Sequence, residues 1–280
     1  MQCIEGSVTS HDGTVVGFRQ VGAGPAVVLI HGGMQASQNL MKLAAALSDS
    51  FTVYVPDRRG RGRSGPHGND YGIGREVEDC AALLVRTGAR NVFGLSAGAL
   101  IALRAGLELP AIRKLALYEP PFPVGATSPT AWVTRYESEL ARGDLAAAMV
   151  SVIKGTADPI GVARLPRFML VALLRLAIPQ QARQVRPPEV ALQTLIPTMH
   201  YDARLPPAFE GTLQQYKLLR AEVLLLGGSK SRDYLKAALD ALERVLPRAQ
   251  RVEFSGVGHL AADNDGKPER VAETLLRFFD

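Results

Sequence analysis

Short apolar runs alternate with longer amphipathic stretches along most of the chain. The runs that predict strands lie at residues 13–22, 25–30, 51–56, 91–95, 114–119, 221–228 and 251–256, the first of them as one arm of a hairpin. Amphipathic segments that predict helices begin near residues 38, 75, 97, 233 and 268. Short continuous apolar runs are typical of strands that helices cover on both faces. The alternation therefore predicts an α/β fold, a mostly parallel central sheet flanked by helices.

A long segment after the strand predicted at 114–119 breaks this alternation. Counting a hairpin partner for the first strand, the break follows the sixth strand. The segment carries helical patterns and no convincing strand. We therefore predict a core formed by residues 1–122 and 216–280, and a helical cap or lid at 123–215. Ligands in open α/β folds bind at the carboxyl ends of the strands, so a segment inserted there is expected to cover a site.

The predicted lid is rich in large apolar side chains, among them Trp132, Phe168, Met169 and many leucines. We expect most of this apolar surface to pack the lid itself and part of it to line a pocket. The sequence thus predicts a small-molecule substrate with a sizeable hydrophobic portion.

The basic character of the chain is concentrated in one turn. The formal net charge is +5 and the sequence pI about 9.4, in a composition that is 47% hydrophobic and 21% charged. Only the stretch DRRGRGRSG at residues 57–65 clusters positive charge, and no aromatic residue interleaves it. Proteins that bind single strands combine basic and aromatic side chains, so we expect no nucleic-acid partner.

The cysteine count and the absence of targeting patterns indicate the cellular compartment. Two cysteines, Cys3 and Cys80, cannot build a disulfide framework or a zinc site, which predicts a cytoplasmic protein. The N-terminal residues lack the basic and apolar regions of a signal peptide. The most apolar stretch, FMLVALLRLAI at 168–178, is too short to span a bilayer, so we expect no membrane partner. Nothing in the sequence indicates the oligomeric state.

One serine lies in a context that favours catalysis. Residues 94–98 read Gly-Leu-Ser-Ala-Gly and stand between a predicted strand and a predicted helix. Glycines on either side permit a sharp turn that exposes the hydroxyl of Ser96, and the following helix directs its N-terminal N–H groups toward developing negative charge. Ser96 is therefore the candidate nucleophile.

A serine needs a base, and His259 is the candidate. It lies in a glycine-containing loop, FSGVGHLAAD, between the last predicted strand and the last predicted helix. Of the other four histidines, His31 is expected to order its own loop, whereas His11, His67 and His200 are expected at the surface.

These motifs together resemble the α/β-hydrolase fold family over nearly the whole chain. The resemblance rests on four local matches: His31-Gly32-Gly33-Met34, the turn at 57–64, the serine motif at 94–98, and Gly258-His259. The lid matches only in position and helical character. The family's D-x-R-G-x-G-x-S turn accounts for the arginine cluster and weakens the nucleic-acid reading further.

The resemblance implies an oxyanion hole and an order of catalytic residues. The backbone N–H groups of Gly33 and Ala97 would be the donors, with Met34 as the second choice for the first. The order along the chain would be serine, then acid, then histidine.

The acid departs from the commonest family pattern, because no carboxylate directly follows the strand VLLLGG. Asp233 comes next, but it begins a helix, where the helix dipole already favours an aspartate. Asp202 has no strand to position it. Glu119 ends the strand KLALYE, and if that strand neighbours the one before Ser96, the two ends lie about 5 Å apart. We predict Glu119 as the acid and keep Asp233 as the alternative.

The sequence thus predicts a serine hydrolase that cleaves an ester, thioester or lactone through an acyl-enzyme, without a cofactor or metal. Serine at position 96 argues against chemistries that need a carboxylate nucleophile. Two alternatives stay open at this point. One is a binding receptor that retains the fold with slow or no turnover, and the other is a cofactor-free perhydrolase that uses the same residues.

Overall fold

A computed structural model describes residues 3–125, 131–156 and 161–280 of the chain. The strands are β1 (Ile4–Thr9), β2 (Val15–Val21), β3 (Ala26–Ile30), β4 (Thr52–Pro56), β5 (Asn91–Leu95), β6 (Lys114–Tyr118), β7 (Glu222–Gly228) and β8 (Ala249–Phe254). The helices are α1 (Met41–Leu47), α2 (Ile73–Thr87), α3 (Ala97–Glu108), α4 (Ala131–Ala141), α5 (Leu145–Thr156), α6 (Arg167–Gln184), α7 (Leu192–Leu195), α8 (Met199–Asp202), α9 (Asp233–Val245) and α10 (Pro268–Phe279).

The eight strands form one sheet in the order β1-β2-β4-β3-β5-β6-β7-β8. β2 pairs antiparallel with β1 and β4, and every other pairing is parallel. The prediction of a mostly parallel sheet is confirmed. The sequence pattern did not locate β1, the hairpin partner of β2. Most of its residues are exposed because it lies at the edge of the sheet, so a continuous apolar run is missing there.

Helices cover both faces of the sheet, as the buried strands require. α2, α3 and α9 pack on one face, where Leu84, Leu100 and Leu239 belong to one apolar cluster. α1 and α10 contact each other on the opposite face, where Leu43 and Leu275 belong to a second cluster. All five residues of β5 are buried. The serine motif that follows β5 therefore begins at the most enclosed part of the sheet.

The described residues between β6 and β7 include the five helices α4 to α8 and no strand. Residues 126–130 and 157–160 of the predicted lid lie outside the described residues. α4, α5 and α6 share a third apolar cluster around Tyr136 and Ile178. Trp132 packs against Tyr136 and over Gly155 in this cluster. Because this cluster is separate from the clusters that include strand residues, the inserted helices have a small core of their own.

Four large apolar side chains of α6 face outward. Phe168, Met169, Leu173 and Leu176 are 75%, 41%, 52% and 76% exposed. Within the described ranges, no helix is both long enough and apolar enough to cross a membrane.

Three of the four arginines in the turn after β4, Arg58, Arg59 and Arg61, are buried and paired with carboxylates. The Arg59 guanidinium donates to both carboxylate oxygens of Asp79 at 2.6 and 2.8 Å and to Asp12 at 2.9 Å. Arg58 donates to Glu76, and its side chain is as buried as that of Arg59. The turn thus places three of its four positive charges inside the protein against carboxylates, which gives the positive cluster a structural role.

The prediction of a surface position for His67, next to this turn, is wrong. Its ring is buried and stacks on Tyr201 of α8, with centroids 3.5 Å apart and planes within 6°. Burial, together with the charge of Arg61, lowers the pKa of His67 to about 4. The polar residues around His67 suggested a solvent-exposed turn, but Tyr201 of the inserted helices covers its ring.

Removal of Arg59 tests the structural role of the turn. We expect Arg59→Met to lower the free energy of unfolding by about 3–5 kcal/mol, because it leaves Asp79 buried without its counter-charge. Arg63→Met in the same turn is the control. The Arg63 side chain is 41% exposed and pairs with Glu5 at the surface, so its loss should cost less than about 1 kcal/mol. Urea unfolding of both variants measures the difference, and equal losses would contradict the assignment.

Candidate active site

Ser96 lies in a tight turn between β5 and α3. Its backbone has φ 55° and ψ −118°, a strained conformation for a residue with a side chain. The glycines on either side make this turn possible. A Cβ on Gly94 would lie 2.3 Å from the carbonyl oxygen of Gly98, and a Cβ on Gly98 would lie 2.3 Å from that of Ile30. The spacing of the motif thus follows from steric contacts.

Three predicted side chains meet at this turn. His259 Nε2 lies 2.9 Å from Ser96 Oγ, and His259 Nδ1 lies 2.7 Å from Glu119 Oε2. In a neutral imidazole the Nδ1 proton is then donated to the carboxylate, and Nε2 is left to accept from the serine hydroxyl. This arrangement can take a proton from the serine and hold the resulting imidazolium against a negative charge.

Glu119 reaches this position through the sheet register. Leu95 pairs with Tyr118, so Ser96 and Glu119 leave neighbouring strands side by side. The Glu119 carboxylate is fully buried, and its Oε1 accepts the Gly228 N–H at 2.6 Å. Glu119 has φ 45°, which turns its side chain out of the strand direction.

The rival carboxylates lie elsewhere. Asp233 is exposed in the first turn of α9. Asp202 is buried, but its Oδ2 accepts from Arg61 Nη2 at 2.6 Å and its Oδ1 lies 2.9 Å from Arg58 Nη1. The histidine contact is therefore made by Glu119, while its catalytic role stays a prediction.

The loop at residues 31–36, after β3, lies beside Ser96. A Cβ on Gly32 would be 3.3 Å from the Cβ of Ser96. Among the described residues, the N–H groups of Gly33 and Ala97 donate no hydrogen bond to the protein, whereas the Met34 N–H donates to Asp202 at 3.0 Å. Gly33 and Ala97 thus have N–H groups available for an oxyanion, and that of Met34 is already engaged.

His31 orders this loop, as expected from the sequence. Its Nε2 accepts the Arg58 N–H at 3.1 Å, so the proton lies on Nδ1, which donates to the Gly32 carbonyl at 2.9 Å. Complete burial, with help from Arg61 and Arg58, holds the pKa of His31 well below its usual range. His31 therefore stays neutral, and its two ring hydrogen bonds connect the loop to the arginine-rich turn.

Sequence reasoning missed the side chains that support this loop and the histidine loop. Gln35 Oε1 accepts the Gly32 N–H at 2.7 Å, and Gln35 Nε2 donates to Asp263 at 2.5 Å. Tyr118 donates its hydroxyl proton to the Gly258 carbonyl at 2.9 Å. The Gln35–Asp263 contact joins positions 228 apart in sequence, and no local pattern signals it.

Across the described parts of the chain, no group of three or more His, Cys, Asp or Glu side chains is arranged to hold a metal ion.

Comparisons with known proteins identify the family and the fold. A family model described as the alpha/beta hydrolase family matches residues 27–274. An alpha/beta hydrolase from Sphaerobacter thermophilus is 27% identical, with a TM-score of 0.76 over 98% of this chain and 100% of that one.

Two further structures share the fold at lower identity. A carboxylesterase from Bacillus subtilis is 21% identical, with a TM-score of 0.70 over 100% of this chain and 92% of that one. An enol-lactonase from Burkholderia xenovorans is 20% identical, with a TM-score of 0.70 over 98% and 99%.

The contact between Glu119 and His259 allows a test of whether Glu119 is the catalytic acid. Glu119→Gln should lower kcat for an ester by roughly 10²- to 10⁴-fold, because a neutral amide neither fixes the tautomer nor stabilises the imidazolium. Asp233→Asn, the matched control, should change kcat little because Asp233 is exposed. Steady-state hydrolysis of a p-nitrophenyl ester measures both. A crippled Asp233→Asn beside an active Glu119→Gln would move the acid to α9.

Proposed function

The chain belongs to the alpha/beta hydrolase family, and we propose that it is a serine hydrolase for an ester, thioester or lactone. The hydrogen-bonded series Ser96–His259–Glu119, with distances of 2.9 and 2.7 Å, is the observation that supports this proposal.

In the first half of the reaction, Ser96 Oγ attacks the substrate carbonyl while His259 Nε2 takes the hydroxyl proton. The carbonyl oxygen becomes negative and accepts from the N–H groups of Gly33 and Ala97. Collapse of the tetrahedral intermediate breaks the bond to the leaving group, which receives the proton from His259. Glu119 stabilises the imidazolium that exists between these two transfers.

Water completes the cycle. His259 Nε2 accepts a proton from a water molecule as the water oxygen attacks the acyl carbon. The second tetrahedral intermediate uses the same donors, and its collapse breaks the bond to Ser96 Oγ and returns the proton to the serine. The acid product leaves the site, and no group beyond the chain's own residues is needed for this cycle.

The substrate class is proposed from the surroundings of the site. Leu260, next to His259 in the sequence, is 54% exposed, and Met34, in the loop at 31–36, is partly buried against the apolar cluster of α4, α5 and α6. Apolar residues thus adjoin both the histidine and the loop beside Ser96, which favours an acyl or alcohol group with a hydrophobic portion. Phe168 and Met169 lie exposed on α6 and do not contribute to this argument.

The nucleophile is tested by labelling and turnover. Wild-type protein should react with a fluorophosphonate probe at Ser96, and Ser96→Ala should fold normally but lose labelling and at least on the order of 10³-fold in ester turnover. Ser255→Ala, at an exposed serine, is the control and should label like the wild type. Folded wild-type protein that neither labels nor hydrolyses would favour a ligand-binding role instead.

A panel of esters, thioesters and lactones tests the substrate class. We expect kcat/KM for p-nitrophenyl butyrate to exceed that for the acetate by roughly 10-fold, since each buried methylene contributes about 0.8 kcal/mol to binding in the transition state. Activity confined to small, highly polar esters would contradict the hydrophobic substrate.

A further inference from the structure

Asp202 connects the inserted helices to the loop beside the nucleophile. It ends α8, and its carboxylate is buried between that helix, the arginine-rich turn and the loop at 31–36. Its Oδ2 accepts from the Met34 N–H at 3.0 Å and from Arg61 Nη2 at 2.6 Å, and its Oδ1 lies 2.9 Å from Arg58 Nη1. One carboxylate on α8 thus contacts two other segments of the chain, the loop at 31–36 and the arginine-rich turn.

The charge of this carboxylate is fixed by its neighbours. Burial alone would raise the pKa of Asp202, but Arg61, Arg58 and the Met34 N–H outweigh it and lower the pKa to about 2. Glu76 pairs with Arg58 from the other side at 2.7 Å. Two guanidinium groups therefore face two carboxylates in the interior, and Asp202 cannot move away without leaving buried positive charge uncompensated.

Met34 is held on both its backbone and its side chain by the insertion. Its φ of 51° is left-handed and costs about 1–2 kcal/mol for a residue with a side chain, so neighbouring contacts must maintain it. The N–H bond to Asp202 is one such contact. The side chain also packs against the apolar cluster of α4, α5 and α6.

The same network sets the direction of the Gly33 N–H. The Gly32 carbonyl accepts from His31 Nδ1 at 2.9 Å and from Arg58 Nη1 at 3.3 Å. In a trans peptide the N–H points opposite to the carbonyl, so the Gly33 N–H points away from Arg58. Asp202 fixes the next peptide directly through Met34, and it holds Arg58 in place at 2.9 Å.

From these contacts we propose that Asp202 is a positioning residue, which uses the inserted helices to hold the loop at 31–36 in the conformation that presents the Gly33 N–H to the developing oxyanion. The proposal rests on the proposed function of Ser96 and Gly33. It makes the docking of the inserted helices a condition for a formed oxyanion hole.

Kinetics of Asp202→Ala test the proposal. We expect kcat for p-nitrophenyl butyrate to fall by about 10- to 100-fold with KM within about 3-fold, because loosening one oxyanion donor costs less than the 10²- to 10³-fold loss from removing it. Glu76→Ala is the matched control. It also deprives Arg58 of a buried carboxylate but touches no residue of the loop and leaves the Asp202 contacts to Met34 and Arg58 in place, so its loss of kcat should be at least about 3-fold smaller than that of Asp202→Ala.

Asp202→Asn separates positioning from charge balance. With its amide oxygen at the Oδ2 position, asparagine accepts from both Met34 and Arg61, and its NH₂ group faces only one donor, Arg58. In the reverse orientation the NH₂ group would face two donors, Met34 and Arg61, so the first orientation is favoured. Asp202→Asn should therefore recover most of the kcat lost in Asp202→Ala, while its free energy of unfolding stays below that of wild type.

Amide hydrogen exchange at Gly32 gives a readout that needs no activity. This N–H is bonded to Gln35 and not to Asp202, so faster exchange reports a looser loop rather than one lost bond. We expect exchange to accelerate at least 10-fold in Asp202→Ala relative to Glu76→Ala. If wild-type protein neither labels nor hydrolyses, the proposed function fails, and this measurement still decides whether Asp202 holds the loop.

Two outcomes would overturn the positioning role. One is an unchanged Gly32 exchange rate in Asp202→Ala. The other is equal loss of kcat in Glu76→Ala, Asp202→Ala and Asp202→Asn, which would show that only the buried charge balance matters.

Discussion

The parallel pairing of β5, β6 and β7 is the constraint on which the site depends. Leu95 pairs with Tyr118, and Tyr118 pairs with Leu226, so Ser96 and Glu119 leave their strands side by side, next to the last two residues of β7. A slip of one residue would turn the side chains to the opposite face of the sheet. The distance between nucleophile and carboxylate is therefore a property of the sheet, and the histidine loop after β8 has only to reach across one edge.

Three local features of the sequence singled out the side chains that meet at the site. The glycines around Ser96 mark a turn that few other residues permit, His259 lies in the loop after the last strand, and Glu119 ends the strand that follows the nucleophile helix. The structure brings the three side chains together, and their catalytic roles stay predictions. The supporting contacts were not predictable, because partners such as Gln35 and Asp263 are far apart in sequence and follow no period. The burial of His67 depends on Tyr201, which the insertion brings over the turn.

Net charge proved a poor guide to the role of the arginines. The excess of +5 over the chain suggests an acidic partner, yet Arg58, Arg59 and Arg61 are buried against carboxylates. Arginine suits such positions because its planar guanidinium stays charged and satisfies several acceptors at once. The basic turn, which follows β4, is thus connected by buried ion pairs to α2 and to the inserted helices.

The end of β7 limits which residues can stand beside the Glu119 carboxylate. A Cβ on Gly227 would lie 3.1 Å from Glu119 Oε1 and 2.7 Å from a Leu239 methyl, and a Cβ on Gly228 would lie 2.4 Å from the Val257 carbonyl. A side chain at Gly227 would therefore press on the buried carboxylate, and one at Gly228 would collide with the backbone of the histidine loop. Two residues that carry no reacting group are thus as restricted in side-chain size as the residues of the site itself.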